Sequence, residues 1–215
     1  MSPRTITYVT CNTHKHEEIV IFNAEAIFAD GTPVRDVFTI QVRPVSIAER
    51  LEIDLEVMVR DEAIRAYEVL KVPCIVEHAG LIYDGFERFN YPGGLTKPMW
   101  NALGASFLKE TSAKRKGATA KAVVAYCDGM AVHSFVGTTH GQLAATPSGS
   151  RSFYWDTIFI PDDSKRPGAT MTYAALVEDA GLGLRYKVLE LSQSSKAMLK
   201  CLQFVRETPP NSLWA

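Results

Sequence analysis

Three groups of side chains in this 215-residue chain have the types and spacing that chemistry needs. The first is TCNTHKHEE at residues 10–18, where Thr10, Asn12 and Lys15 follow a β-branched run. A turn that opens a helix offers unpaired amide protons and the positive end of the helix dipole. Lys15 adds a cation one turn in, so the segment can cradle a phosphate. Thr10 or Asn12 also fits the simpler role of an N-cap. The second group is acidic: Glu49, Glu52, Asp54 and Glu56 precede one helical pattern, and Glu77 closes the strand PCIV. Carboxylates that meet at a cleft hold magnesium through oxygen ligands, whereas taken singly they form a solvated acidic face. Glu77 is the best placed, because the exit of so apolar a strand is the functional edge of a sheet. Next to it in VEHAGL (76–81) stands His78, a base where a second carboxylate would suit a metal. The third group is Phe153, Tyr154, Trp155 and Asp156, whose rings suit stacking on a purine with Asp156 as a polar neighbour, or else belong to the core. His14, His16, His133 and His140 have no metal-like partner at usable spacing.

The elements that must position these groups follow from periodicity. TITYVT (5–10) is a buried strand by composition, and EEIVIFNAEAIF after the CNTHK turn is helical. After DGTP come a strand in VFTIQVRPV and a helix in DLEVMVRDEAIRAYEVL (54–70), spaced through Leu55, Val59, Ala63, Ala66 and Leu70. VPCIVE is a third strand with Pro73 at its start. YPGG (91–94) is a loop, and PMWNALGASFLKE is helical with Pro98 in its first turn. TAKAVVAYCDGMAVHSFVG alternates as a hairpin, with Asp128-Gly129 suited to a two-residue type I′ turn. FYWDTIFIP is a strand, TYAALVEDAG a short helix ended by Gly181, and SSKAMLKCLQFVRE the last helix. The pattern predicts an α/β fold with a mixed, twisted sheet and flanking helices, two lobes around a central cleft, in a single domain over 1–208 with a tail at 209–215.

Composition bounds the partners. A net charge of −1 gives no polyanion footprint, so neither nucleic acid nor an anionic membrane is an expected partner. Cys11, Cys74, Cys127 and Cys201 show no C-x-x-C pairing and suit reduced thiols in a cytoplasmic protein. No signal-peptide core and no window of 18 apolar residues is present, so secretion and membrane spanning are disfavoured.

Taken in order, the motifs resemble the inosine triphosphate pyrophosphatase family, which hydrolyses nucleoside triphosphates carrying non-standard purines. Thr10, Asn12, Lys15 and Glu18 match its opening T-x-N-x-x-K-x-x-E. Pro73 to Glu77, Gly80-Leu81, Pro92-Gly93, the hairpin, Tyr154 to Pro161, Thr172 to Ala174 and Ser192 to Ala197 follow without a piece out of order. The resemblance spans roughly Thr5 to Phe204 and implies that family's fold. It implies that Thr10, Asn12 and Lys15 contact a triphosphate, that Glu49 binds metal with Glu77, and that Glu52 and Glu56 are rivals to Glu49. Phe153, Trp155 and Asp156 match the nucleobase wall, Ser192 and Gln193 the base-gripping motif, and Lys187, with a one-residue shift, the lysine before it. Magnesium, or manganese in its place, is the implied cofactor, a purine nucleoside triphosphate the ligand, and a homodimer or a complex with an effector protein the assembly.

Three departures bear on activity. The family's second carboxylate is His78, a lysine early in the second helix is Glu62, and Ser-His-Arg is Ser192-Gln193-Ser194. Read one at a time, these remove a metal-binding or basic carboxylate, place like charge beside the phosphates, and loosen the grip on the six-keto oxygen. The expectation is therefore a nucleotide-binding protein for dITP or ITP with impaired catalysis. It would act as a sensing subunit in the manner of nucleotide-triggered antiviral defence. The alternative is an active pyrophosphatase with a rearranged site, using Glu49 and Glu77 for metal and His78 as base.

Overall fold

The computed structural model describes residues 2–112 and 114–208, with the backbone alone at 105 and 151–153. Its sheet has six strands in the order β2-β1-β3-β4-β5-β6. β1 (Arg4–Val9) lies parallel to β2 (Phe38–Arg43) and to β3 (Cys74–Tyr83). β3, β4 (Gly117–Cys127), β5 (Val132–Leu143) and β6 (Phe159–Pro161) continue antiparallel, which makes the sheet mixed.

Helix α1 (Thr13–Glu25) begins where Asn12 caps it, its side chain accepting from the His14 amide. A single turn, α2 (Val34–Val37), leads into β2. α3 (Leu55–Leu70) is capped by Asp54, which accepts from the amides of Glu56 and Val57, and stops at Lys71 in the left-handed region. Its buried residues Leu55, Met58, Val59, Ala63 and Ala66 repeat at helical spacing and pack on one face of the sheet against Cys74, Val76, Val123 and Ala125. α1 and α8 (Gln193–Glu207) cover the other face, where Ile75, Ala122 and Val124 meet Phe22, Met198 and Leu202. Alternation along β3 thus sends even-numbered residues toward α3 and odd-numbered ones toward α1 and α8.

The long strands β3 and β4 run on into a second core. Leu81, Tyr83, Ala118 and Ala120 pack there with Trp100 of α4 (Thr96–Leu103), Phe107 of α5 (Phe107–Thr111) and Tyr173 of α6 (Tyr173–Glu178). Gly80 of β3 packs against the turn before α4, where any side chain would strike the Gly93 carbonyl. A further turn, α7 (Gly183–Tyr186), and one π-helical turn (Lys187–Leu191) precede α8.

The mixed α/β architecture matches the sequence expectation, with local differences. β3 is not confined to PCIVE: it runs through HAGLIY, so His78 lies inside a strand and not beyond its exit. The hairpin turn spans residues 128–131 between the two strands and does not centre on Asp128-Gly129: the Asp128 amide donates to the Ala131 carbonyl, and its side chain accepts from the amides of Met130 and Ala131. Of FYWDTIFIP only Phe159–Pro161 is strand, since Arg151–Thr157 forms tight 3-10 turns around Tyr154. α6 ends at Glu178, before Gly181, with Asp179 as its cap. Pro98 sits in the first turn of α4 as expected, but that helix and α5 are separate, broken at Gly104 with φ 54°. The expected tail at 209–215 lies outside the described residues. All four cysteines are free, with Cys11 exposed and the other three buried. Among the described residues no helix is long and apolar enough to cross a membrane.

Candidate functional site

α1 and α3, which follow β1 and β2, lie on opposite faces of the sheet, so the chain diverges at the carboxyl end of β1. β1 pairs with β3 over only Thr7 with Cys74 and Tyr8 with Ile75, and beyond that the two strands part. Open α/β sheets bind ligands at such a point. Here it opens into a cleft of about 640 Å³ between the lobes.

The floor on the α1 side is built around Glu77, which is 7% exposed. Tyr8 Oη and Ser194 Oγ donate to its two oxygens, each at 2.9 Å. Lys15 Nζ lies 3.0 Å from Oε2 and also donates to the Glu77 carbonyl at 2.5 Å. Burial pushes this carboxyl up, but the Lys15 ammonium and the hydrogen bonds from Lys15, Tyr8 and Ser194 outweigh it and hold it below the usual glutamate value. Glu77 was expected to bind metal and serve in catalysis. In the structure Tyr8, Ser194 and Lys15 meet its oxygens, and it holds Lys15 at the mouth of α1 while itself lining the cleft. Thr10 and Asn12 line the same corner: Thr10 Oγ1 accepts from the Asn12 amide at 3.2 Å and Asn12 caps the helix.

Across β3, His78 points to the α3 face and its Nε2 contacts Glu62 Oε2 directly. Glu49, on the loop before α3, joins them, so that one ligand atom from each of Glu49, Glu62 and His78 lies within 4.8 Å of the others. Two carboxylate oxygens and an imidazole nitrogen on three separate elements make a donor set suited to a divalent cation. Glu52 is turned away, its Oε1 accepting from the amides of Ile53 and Asp54, and Glu56 is exposed in the first turn of α3. Of the three, Glu49 alone joins the group with Glu62 and His78. Glu77 is not in this group.

A buried ion cluster also lines the cleft. Lys187, 5% exposed, donates to Asp156 at 2.5 Å and to Glu18 at 2.8 Å. Burial pulls its ammonium down, but the two carboxylates prevail and raise it above the ordinary lysine value. Burial pushes Asp156 up and the Glu18 charge adds to it, so that despite Lys187 the carboxyl lies above its usual value. Lys187 and Asp156, both expected at the nucleotide, line the cleft as partners of each other. Trp155 lines it too, with its edge toward Phe159 in the second core, while the side chain of Phe153 lies outside the described residues. Ser192 caps α8 by accepting from the Ser195 amide, and Gln193 faces the cleft with Oε1 accepting from Tyr173 Oη at 3.1 Å.

Four cleft residues escaped their roles in the sequence. Glu62 was read as a charge reversal, yet it continues the buried stripe of α3 at the i+3 spacing from Val59, the signal that its carboxylate points inward. Lys97 and Asn101 reach the cleft from α4, one turn apart, and Lys97 lies 5.8 Å above the Tyr154 ring. Ser194 contacts Glu77 across 117 residues of chain, and nothing local in the sequence signals that.

Comparison with known proteins gives the family and the fold. The chain is 33% identical over 176 residues to a dITP/XTP pyrophosphatase of Hyperthermus butylicus, covering 80% of this chain and 85% of the relative. It is 30% identical over 192 residues to an inosine triphosphate pyrophosphatase of Candida glabrata, covering 83% and 89%. A HAM1 protein from Coxiella burnetii shares the fold with a TM-score of 0.62 at 18% identity, over 94% of this chain and 99% of that one. The model of the Ham1 family matches residues 6–185, and the chain belongs to that family.

Proposed function

We infer that this chain hydrolyses the triphosphate of a non-standard purine nucleotide, of the dITP, ITP or XTP kind, to monophosphate and pyrophosphate. The observation that carries this reading is the contact between Glu62 and His78 beside Glu49. Taken one at a time, His78 in place of a carboxylate and Glu62 in place of a lysine are two losses. In contact, we read them as an exchange: a carboxylate on α3 stands beside the residue of β3 where the family pattern has one. The reading of impaired catalysis and of a sensing role for an effector rested on these two departures and a third, Ser192-Gln193-Ser194; the exchange accounts for the first two, and the third bears on the grip of the base and not on the metal.

The triphosphate is met by the N-terminus of α1 with Lys15 on one side and by Lys97 on the other. Glu49, Glu62 and His78 would hold a divalent ion, magnesium or manganese, which supplies polarisation of a phosphoryl oxygen and a water of lowered pKa. In the overall reaction the water oxygen joins the α-phosphorus, the bridging bond to the β-phosphate breaks, one proton is released and pyrophosphate leaves. Tyr154 and Trp155 wall the base, and the Gln193 amide, its oxygen engaged by Tyr173, presents N–H donors that suit a purine keto oxygen.

The test is incubation of the pure protein with dITP and Mg²⁺ or Mn²⁺, following bound nucleotide and released pyrophosphate together. Pyrophosphate and dIMP in equal amounts are expected. Tight binding without release under both metals would overturn the reading in favour of a sensor.

A further inference from the structure

We propose that Glu49, Glu62 and His78 form a mixed nitrogen and oxygen site that selects a divalent first-row transition ion, with Mn²⁺ as the probe, over Mg²⁺. The proposal rests on the functional reading only in placing the ion beside the triphosphate. The donor set itself stands on geometry.

Magnesium takes an all-oxygen, near-octahedral shell and binds imidazole poorly, whereas first-row transition ions gain affinity from an imidazole nitrogen, Mn²⁺ the least of them and the later ions more. The three donors come from a loop, a helix and a strand and converge within 4.8 Å. Two of them are well shielded, with His78 and Glu62 side chains 14% and 13% exposed, while Glu49 is exposed and gives an ion its way in. Two of the cleft's three lysines are paired with other carboxylates, Lys15 with Glu77 and Lys187 with Glu18 and Asp156, and the third, Lys97, lies over the Tyr154 ring. The negative charge of Glu49 and Glu62 is therefore not neutralised by Lys15 or Lys187. Three protein donors leave coordination positions for water and phosphate oxygens, as a catalytic centre requires.

The experiment uses the intact protein without nucleotide. Mn²⁺ is titrated in and followed by loss of the free-ion electron paramagnetic resonance signal, Mg²⁺ is titrated as its competitor, and the bound ion is examined for spin-echo modulation from a directly ligated nitrogen. The expected result is nitrogen modulation in the wild-type protein and its absence in His78→Asp. The preference for Mn²⁺ over Mg²⁺ should fall by about tenfold or more in that variant, because the shell becomes all-oxygen. Glu62→Gln should weaken Mn²⁺ binding by about ten- to a hundredfold while keeping the nitrogen signal. Bound Mn²⁺ without nitrogen modulation in the wild-type protein overturns the proposal without recourse to any variant, as does an unchanged metal preference in a folded His78→Asp protein. Because no nucleotide is present, a failed pyrophosphatase assay with the nitrogen signal intact would sink the functional reading and leave this site standing.

Discussion

Glu62 Oε2 on α3 and His78 Nε2 on β3 are in direct contact, sixteen residues apart in the chain. Strand alternation turns His78 to the α3 face, and the buried stripe of α3 turns Glu62 to meet it. Neither residue can be assigned a role without the other. This makes the pair a natural subject for a double-mutant cycle.

Glu62→Gln should lower turnover about 10²-fold or more, with a much smaller change in nucleotide affinity, because Lys15, Lys97 and the wall residues are untouched. Glu62→Lys alone should be at least as damaging. Adding His78→Asp to Glu62→Lys returns a carboxylate to β3 and pairs it with the new cation, so the double variant should recover about tenfold or more over Glu62→Lys. Steady-state pyrophosphate release for the variants measures this. Full turnover in Glu62→Gln would remove Glu62 from the site.

Lys187 neutralises two carboxylates in a setting where water hardly reaches. Lys187→Met leaves Glu18 and Asp156 facing one another with no cation between them. Breaking a buried ion cluster in this way costs about 3–5 kcal/mol. Urea unfolding should show that loss, and Lys187→Met combined with Glu18→Gln and Asp156→Asn should regain part of it. A drop below about 1 kcal/mol for the single variant would mean that the cluster is far better solvated than its burial implies.

The sequence carried the fold well because its signals are local. Leu55, Val59, Ala63 and Ala66 recur at helical spacing and do line the buried face of α3, and Asn12 lies at the N-cap that its type favours. The site was less legible, since its decisive contacts join distant parts of the chain. Glu77 read as a free carboxylate at a strand exit, because nothing within a few residues reveals that Tyr8 and Ser194 close on it from 69 and 117 positions away. His78 and Glu62 were each visible as departures, but a sequence scanned position by position scores two losses where packing makes one exchange. Tyr154 was placed in a strand by its neighbours' β propensity, while the backbone there turns through a positive φ.

Glu77 gives the protein a defined acid sensitivity. Its carboxyl lies below the usual value in the folded state, so the stability it contributes is fully present above about pH 4.3, the ordinary glutamate value, and is lost as pH falls through the lower folded value. Glu77→Gln removes the charge at every pH. The variant should therefore be less stable than the wild-type protein at pH 7, by about 1–3 kcal/mol, and the gap should narrow below pH 4. Denaturant midpoints at pH 7, 5, 4 and 3 measure it. A gap that stays constant down to pH 3 would contradict a lowered carboxyl.

Tyr154 supplies a second, purely conformational test. Its φ of 53° and ψ of −126° lie in a region that glycine enters freely and other residues do not. Holding it there brings the tyrosine ring under Lys97 and along the cleft wall. Such strain costs about 1–3 kcal/mol, against about 0.5–1 kcal/mol of extra chain entropy that a glycine loses on folding. Tyr154→Gly and Tyr154→Ala remove the same ring, so their difference isolates the backbone. The glycine variant should be the more stable of the two by about 1 kcal/mol, while both bind the nucleotide more weakly than the wild-type protein. Paired denaturant titrations decide it: an alanine variant as stable as the glycine variant would mean that the wall is formed without a strained residue, and that the ring reaches the cleft by side-chain rotation alone.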